Sequence, residues 1–305
     1  MKTTVIKDAS DIQQERETVL VLGYFDGLHK GHQRLFEEAR KIADQKGLQV
    51  ALLTFPESPK LAFVRYQEDL LLHLMNPQER QARLAALGVD QLYLVDFTSD
   101  FAGLRAQDFI ETYVKALKAQ VLVAGFDYHF GCDRKEAEDL AAYFPGQVLV
   151  VPEVSQDGKK ISSTRIRQAV QEGRMEEVAD LLGQPYKIRG VVVHGDARGR
   201  TIGYPTANLS LLDRVFLPAD GVYVVDLIFK GKKYRGMASV GKNVTFDGQE
   251  LRLEVNIFDF SQDIYGHTLE ISWLSKIRDM VKFDGIDALC AQLKQDEIDA
   301  RAWPA

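Results

Sequence analysis

Val19-Leu20-Val21-Leu22-Gly23-Tyr24-Phe25-Asp26-Gly27-Leu28-His29-Lys30-Gly31-His32 decides how the first half of this chain folds. Four successive apolar residues make a short strand buried on both faces, as in a parallel sheet. Gly23 and Gly27 break it, and a helical pattern starts near Gly31. A helix start offers unpaired backbone N–H groups and the positive end of the macrodipole, and glycines let a bulky anion come close to the backbone. His29 and His32, three apart at that mouth, are placed to donate imidazole N–H groups to phosphate oxygens.

Outward from this stretch the pattern alternates. Leu35, Ala39, Ile42 and Ala43 share a helical face over residues 31–46, closed by Gly47. Further helices are expected over 77–87, 106–117 and 134–143, between strands 50–55, 91–95, 120–124 and 147–151. Such alternation implies right-handed crossovers and an α/β doubly wound parallel sheet, whose ligands bind beyond the carboxyl ends of the strands. The loop Gly125-Phe126-Asp127-Tyr128-His129-Phe130-Gly131 lies at another such end. Its aromatics and carboxylate suit a flat ring with a polar edge. In Ile161-Ser162-Ser163-Thr164-Arg165-Ile166-Arg167, Ser163 or Thr164 reads as a helix N-cap, and Arg165 or Arg167 could neutralise a departing pyrophosphate.

At 183–187 the alternation gives way to short strands, and Gly183 and Pro185 stop the preceding helix. Two domains are expected, 1–183 and 187–305. In the second, strands over 187–194, 221–229, 233–240, 251–258 and 268–274 require a small antiparallel barrel or sandwich. A final helix, 285–302, carries Ile286, Leu289, Leu293 and Ile298 as the stripe expected to pack on it. The loop from Gly195 to Asn208, with Gly199 and Arg200 at its centre, is dense enough in glycine and arginine to wrap a phosphate. Alternation places Glu254 and Asn256 on one face of their strand.

A length of 305 residues fits two domains, since single cores stop growing at ~250–300 residues. The net charge of −6 and the absence of a basic run argue against nucleic acid as the partner. No stretch approaches the ~20 apolar residues of a membrane helix, and the N-terminus lacks a signal-peptide core, so a cytoplasmic protein with no membrane partner is expected. Cys132 and Cys290 read as ordinary free thiols.

The string Phe25-Asp26-Gly27-x-His29-x-Gly31-His32 resembles the signature of the nucleotidyltransferases that attach AMP or CMP to a phosphate or carboxylate. Together with the 125–131 and 161–167 segments, in this order, residues 15–183 resemble the adenylyltransferase half of the bacterial bifunctional riboflavin kinase/FMN adenylyltransferases, or FAD synthetases. That resemblance implies that His29 and His32 hold ATP phosphates, with Gly23, Phe25, Asp26 and Gly31 in the nucleotide pocket. It implies that Asp127 and its aromatic neighbours contact the flavin, and that Ser163, Thr164, Arg165 and Arg167 close on the triphosphate. Pro205-Thr206-Ala207-Asn208 resembles the signature of the riboflavin kinase barrel, implying Mg²⁺ and nucleotide phosphates at Thr206 and Asn208, with oxygen ligands suited to a hard cation. Glu254 matches the kinase family's catalytic base, and Tyr265-Gly266 and residues 276–283 match its later motifs. The substrates implied are riboflavin, FMN and ATP. Glu57-Ser58, Glu136, Asn256 and Met280 depart from the family pattern. A paralogue with one activity, or a flavin-binding regulator, is the competing expectation.

Overall fold

The computed structural model describes residues 1–195, 198–242 and 251–304; Asp196 and Ala197 of the glycine-arginine loop lie outside them. The chain parts into two compact units: Met1–Leu72 with Pro77–Ser162, and His73–Asn76 with Ser163–Ala305. Gly183, with a left-handed φ of 74°, closes the helix that ends at Leu182. The two units part between Ser162 and Ser163, about twenty residues before the expected boundary at 183–187, because the helix just before Gly183 packs on the strands after it and the helix before that one packs on it.

The first unit is built on a six-stranded, all-parallel sheet: β1 (Lys2–Ile6), β2 (Thr18–Leu22), β3 (Gln49–Thr54), β4 (Gln91–Val95), β5 (Ala119–Gly125) and β6 (Gln147–Val151), in the order β1-β4-β3-β2-β5-β6. The doubly wound expectation holds. β2 is buried along its whole length, as its unbroken apolar run requires. The order reverses at β2, with β3, β4 and β1 on one side and β5 and β6 on the other, which opens a crevice at its carboxyl end. Helix α1 (Lys30–Lys46) buries Leu35, Phe36, Ala39 and Ala43 and ends at Gly47, whose N–H donates to Ala43 O. Helix α2 (Pro77–Ala86) buries Leu84.

Three expectations need correction here. Strand β1 was not foreseen: it is an edge strand of mostly exposed residues, with no apolar run to mark it. The helix over 106–117 starts as α-helix at Ala106–Phe109 and widens to a π turn at Ile110–Val114. Residues 134–143 are not one helix. Arg134 has φ 51°, Lys135–Glu136 pairs with His129–Phe130 as a small ribbon, and only Leu140–Tyr143 is α-helical. Glu136 forms a capping box with Asp139, which delays the helix past the predicted start.

The second unit begins with α3 (Ser163–Gln171) and α4 (Met175–Leu182), which pack on each other. A closed antiparallel barrel follows: β7 (Tyr186–Val193), β8 (Ala207–Leu211), β9 (Gly221–Phe229), β10 (Lys232–Lys242), β11 (Leu251–Ile257) and β12 (Thr268–Arg278), ordered β7-β8-β11-β10-β9-β12. Closure leaves no sheet edge, which resolves the choice between barrel and sandwich. Tyr186, Tyr223 and Trp273 are fully buried, and a Lys230-Gly231 turn with φ 50° and 77° joins β9 to β10. Helix α5 (Ile286–Ala302) packs against β9 and β10, so β9 is buried on both faces.

That helix docks through only part of the expected stripe. Leu293 packs on the cluster formed by Val222, Val224 and Met237, but Ile286 and Ile298 remain more than half exposed, whereas Asp296 and Ala300 are fully buried. Asp296 receives Arg278 at 2.7 Å and Gln292 at 2.8 Å. A buried carboxylate needs such partners, and a hydrophobic-periodicity reading cannot see a stripe that is ionic.

Candidate active sites

The loop leaving β2 is tightly folded. Gly23 has φ 154°, and a Cβ there would fall 2.7 Å from the Phe25 ring. Phe25 and Leu28 hold φ 55° and 47°, a left-handed conformation that costs about 1–3 kcal/mol per non-glycine residue. Both side chains are buried, at 4% and 0% exposure, and burial of a side chain of that size returns roughly 1.5–3 kcal/mol. Hydrophobic burial therefore holds the turn that aims the next residues. Asp26 is buried beside them, and Gly31 sits in the first turn of α1.

The structure brings His29 and His32 together. Their rings stack at 3.6 Å, and Phe25 meets His32 edge-on at 5.0 Å. His29 is the N-cap of α1: its Nδ1 accepts from the His32 backbone N–H at 3.2 Å. His32 Nδ1 is buried with no partner among the described residues. Burial pushes the His29 pKa from 6.5 down to about 4, partly opposed by Asp127 and Asp26. Burial, then the neighbouring His29, holds His32 well below its usual value. Both rings are neutral near pH 7, so they offer dipoles and N–H groups and no net positive charge.

A pH dependence follows. A base whose proton affinity falls on folding stabilises the fold above its unfolded pKa, and that contribution is lost as pH drops from 6.5 toward 4. At ~1.4 kcal/mol per unit, His29 contributes on the order of 3 kcal/mol. In an NMR titration the His29 ring protons should show their inflection near pH 4, with the stability loss in the same window. An inflection near 6.5 would contradict a neutral clamp.

Beside this loop lies a cavity of about 890 Å³, within the size range of small-molecule sites. Its wall is aromatic: Tyr24 after β2, Phe55 after β3, Phe97 after β4, and Tyr128 and Phe130 after β5, with Phe63 from the 56–66 segment. Phe55 and Phe97 meet edge-on at 4.8 Å, and Tyr128 and Phe130 lie parallel at 6.2 Å. Asp127 is outside this lining. Its carboxylate takes Lys160 Nζ at 2.6 Å, and that ammonium also sits 4.5 Å from the Phe126 ring. The sequence reading found the 125–131 loop and missed Tyr24, Phe55, Phe63 and Phe97, which only the sheet brings together.

Half-buried Arg80 of α2 locks the crevice. It donates to Phe55 O at 2.9 Å, to Thr54 Oγ1 at 2.9 Å and to Tyr24 O, tying the loops after β2 and β3 together.

In the barrel, Thr206 Oγ1 donates to Glu254 Oε2 at 3.0 Å. Asn208 is the direct cross-strand partner of Glu254, which puts the two side chains on one face of the sheet. The loop before them is more regular than expected, with a helical turn at Arg198–Thr201. Gly199 is required there, since a Cβ would lie 2.1 Å from Tyr204 O. Arg200 reaches the Tyr265 hydroxyl at 3.4 Å, and His194 stacks on that ring at 3.8 Å. Hydroxyl, amide and carboxylate oxygens are the donor class of a hard cation. Among the described residues no group of three His, Cys, Asp or Glu forms a metal cluster, so a cation at Thr206 and Asn208 would complete its shell with water and phosphate.

The remaining predicted residues belong to the second compact unit. Helix α3 begins at Ser163, so the cap position moves to Ser162, and Ser163 and Thr164 form the first turn. Arg165 is bound to Glu177 at 2.8 Å, and Arg167 lies over the Phe216 ring at 5.8 Å. Cys132 and Cys290 are free thiols, the former exposed on the cavity wall.

Comparison with known proteins matches residues 11–165 to the FAD synthetase family and residues 182–304 to the riboflavin kinase family. The chain is 45% identical to the bifunctional riboflavin kinase/FMN adenylyltransferase of Listeria monocytogenes, covering 93% of this chain and 92% of that one. It is 36% identical to the Escherichia coli K12 protein of the same description, covering 93% and 92%. A crystal structure from Streptococcus pneumoniae, described as a macrolide-efflux protein, is 59% identical, covers 99% of both chains and superposes with a TM-score of 0.95. Among the described residues no helix is long and apolar enough to cross a membrane.

Proposed function

This chain belongs to the bifunctional riboflavin kinase/FMN adenylyltransferase family, and we propose that it phosphorylates riboflavin to FMN in the barrel and adenylylates FMN to FAD in the sheet unit. The working compartment is the cytoplasm, and the partners are small molecules. The efflux description of the Streptococcus structure carries no weight against two family matches that together span most of the chain.

In the barrel, a riboflavin hydroxyl attacks the γ-phosphorus of ATP. The new O–P bond forms as the bond to the β-bridging oxygen breaks, ADP leaves, and Glu254 takes the hydroxyl proton. Thr206 and Asn208 are the residues that would hold Mg²⁺, whose charge would offset that of the phosphates, and Gly199 and Arg200 border the nucleotide.

In the sheet unit, an FMN phosphate oxygen attacks the α-phosphorus of ATP and pyrophosphate leaves. This nucleophile is already ionised, so the site needs positioning and charge stabilisation without a base. His29 and His32 donate to phosphate oxygens, and the aromatic cavity takes the flavin ring. Positive charge must come from elsewhere than the neutral imidazoles. Arg80 is spent on Phe55, Thr54 and Tyr24, whereas Lys160 is held by Asp127 in a half-exposed ion pair. Such pairs contribute only ~0–1 kcal/mol, so Lys160 can exchange Asp127 for phosphate at little cost.

The reading rests above all on one chain carrying both a neutral-donor clamp beside an aromatic cavity and a Thr206–Glu254 pair at 3.0 Å. Incubation with riboflavin, ATP and Mg²⁺, with chromatography of the flavins, should yield FMN and then FAD. FMN alone would reduce the protein to a kinase, and neither product would favour a flavin-binding regulator.

A further inference from the structure

We infer that Asn256 is a positioning residue for phosphoryl transfer: its side-chain amide sets the Pro205-Thr206 segment against Glu254. The inference rests on the kinase reading of the barrel. Asn256 is 8% exposed, and its Nδ2 donates to Pro205 O at 2.7 Å. Proline has no N–H, so this carbonyl is the only backbone hydrogen-bonding group residue 205 offers. One residue on, Thr206 Oγ1 donates to Glu254 Oε2 at 3.0 Å.

Two side chains on the same face of β11, two residues apart, thus grip two consecutive residues of the loop entering β8. The ladder takes over immediately afterwards, with Ala207 opposite Val255 and Asn208 opposite Glu254. Pro205 and Thr206 precede that ladder, so side chains locate them. The Thr206–Glu254 bond alone leaves the segment free to pivot about one contact; the Asn256 bond supplies the second point. Small misplacements matter here, since a shift of ~1 Å in a reacting group can cost 10²-fold.

The substitution Asn256→Asp keeps the shape and removes the donor, setting a carboxylate oxygen against the Pro205 carbonyl. Asn256→His restores a ring N–H with similar reach. The experiment measures riboflavin kinase kcat and KM for MgATP in the full-length wild type and both variants, alongside thermal unfolding, with adenylylation of supplied FMN as the control for intact protein. Asn256→Asp should lower kcat about 10–100-fold and raise the KM for MgATP, with FMN adenylylation unchanged, and Asn256→His should recover most of the loss. Wild-type kinetics in a folded Asn256→Asp protein would overturn the inference. So would a variant that lost only thermal stability, or a folded Asn256→His protein as impaired as Asn256→Asp. If the wild type itself made no FMN, the kinase reading would fail, and the positioning role with it.

Discussion

Glu254→Gln should reduce riboflavin phosphorylation by about 10²–10⁴-fold, the usual contribution of a general base, while adenylylation of supplied FMN stays at the wild-type rate. Glutamine keeps an acceptor oxygen for the Thr206 hydroxyl, so the 3.0 Å contact can persist and the variant isolates proton handling from geometry. The neighbouring ladder contacts, Asn208 on one side and Ser239 on the other, are made by backbone and remain. Steady-state kinetics of FMN formation across pH would check the result. Wild-type turnover in the glutamine variant would return Glu254 to the role of a half-buried strand residue.

The second large effect belongs to the sheet unit. His32→Ala, or His29→Asn, should slow FAD formation from supplied FMN by about 10²–10³-fold, the usual loss when one donor to developing charge is removed. Asparagine is the informative choice at position 29. His29 also caps α1, and an alanine there would add about 0.5–2 kcal/mol of lost capping to any loss of chemistry. Asparagine retains a capping oxygen and removes the imidazole. His32 has no capping role, and its buried Nδ1 has no hydrogen-bond partner among the described residues. FMN formation should continue in both variants. A parallel fall in FMN and FAD in a folded protein would mean that the two chemistries do not have separate sites.

What the sequence could reveal followed local physics. Val19–Leu22 was legible because a strand buried on both faces must be apolar throughout, and the glycine-bearing loop after it because a left-handed turn is needed before α1. Strand β1 was not, since Lys2-Thr3-Thr4 satisfies its ladder at an exposed edge without any apolar signal. The docking of α5 was only partly legible: Leu293 packs as its periodicity implies, but Asp296 is buried by pairing with Arg278, a partner 18 residues away on another element. In the sites, residues on one loop or one strand were found together: His29 with His32, Thr206 with Asn208. The cavity wall was not, because Tyr24, Phe55, Phe63 and Phe97 come from successive crossovers and meet only when β2, β3 and β4 align. Asn256 looked like a simple departure from a family pattern until its bond to Pro205 O was visible.

The central claim is that one chain performs two different attacks on phosphorus, and the fate of isotopic label tests it directly. Full-length protein is supplied with riboflavin, Mg²⁺ and ATP labelled at either the γ- or the α-phosphorus, and the flavins are separated. The account predicts γ-label in both FMN and FAD, and α-label in FAD alone. Label from the α-position in FMN, or γ-label in FMN without α-label in any flavin, would contradict it.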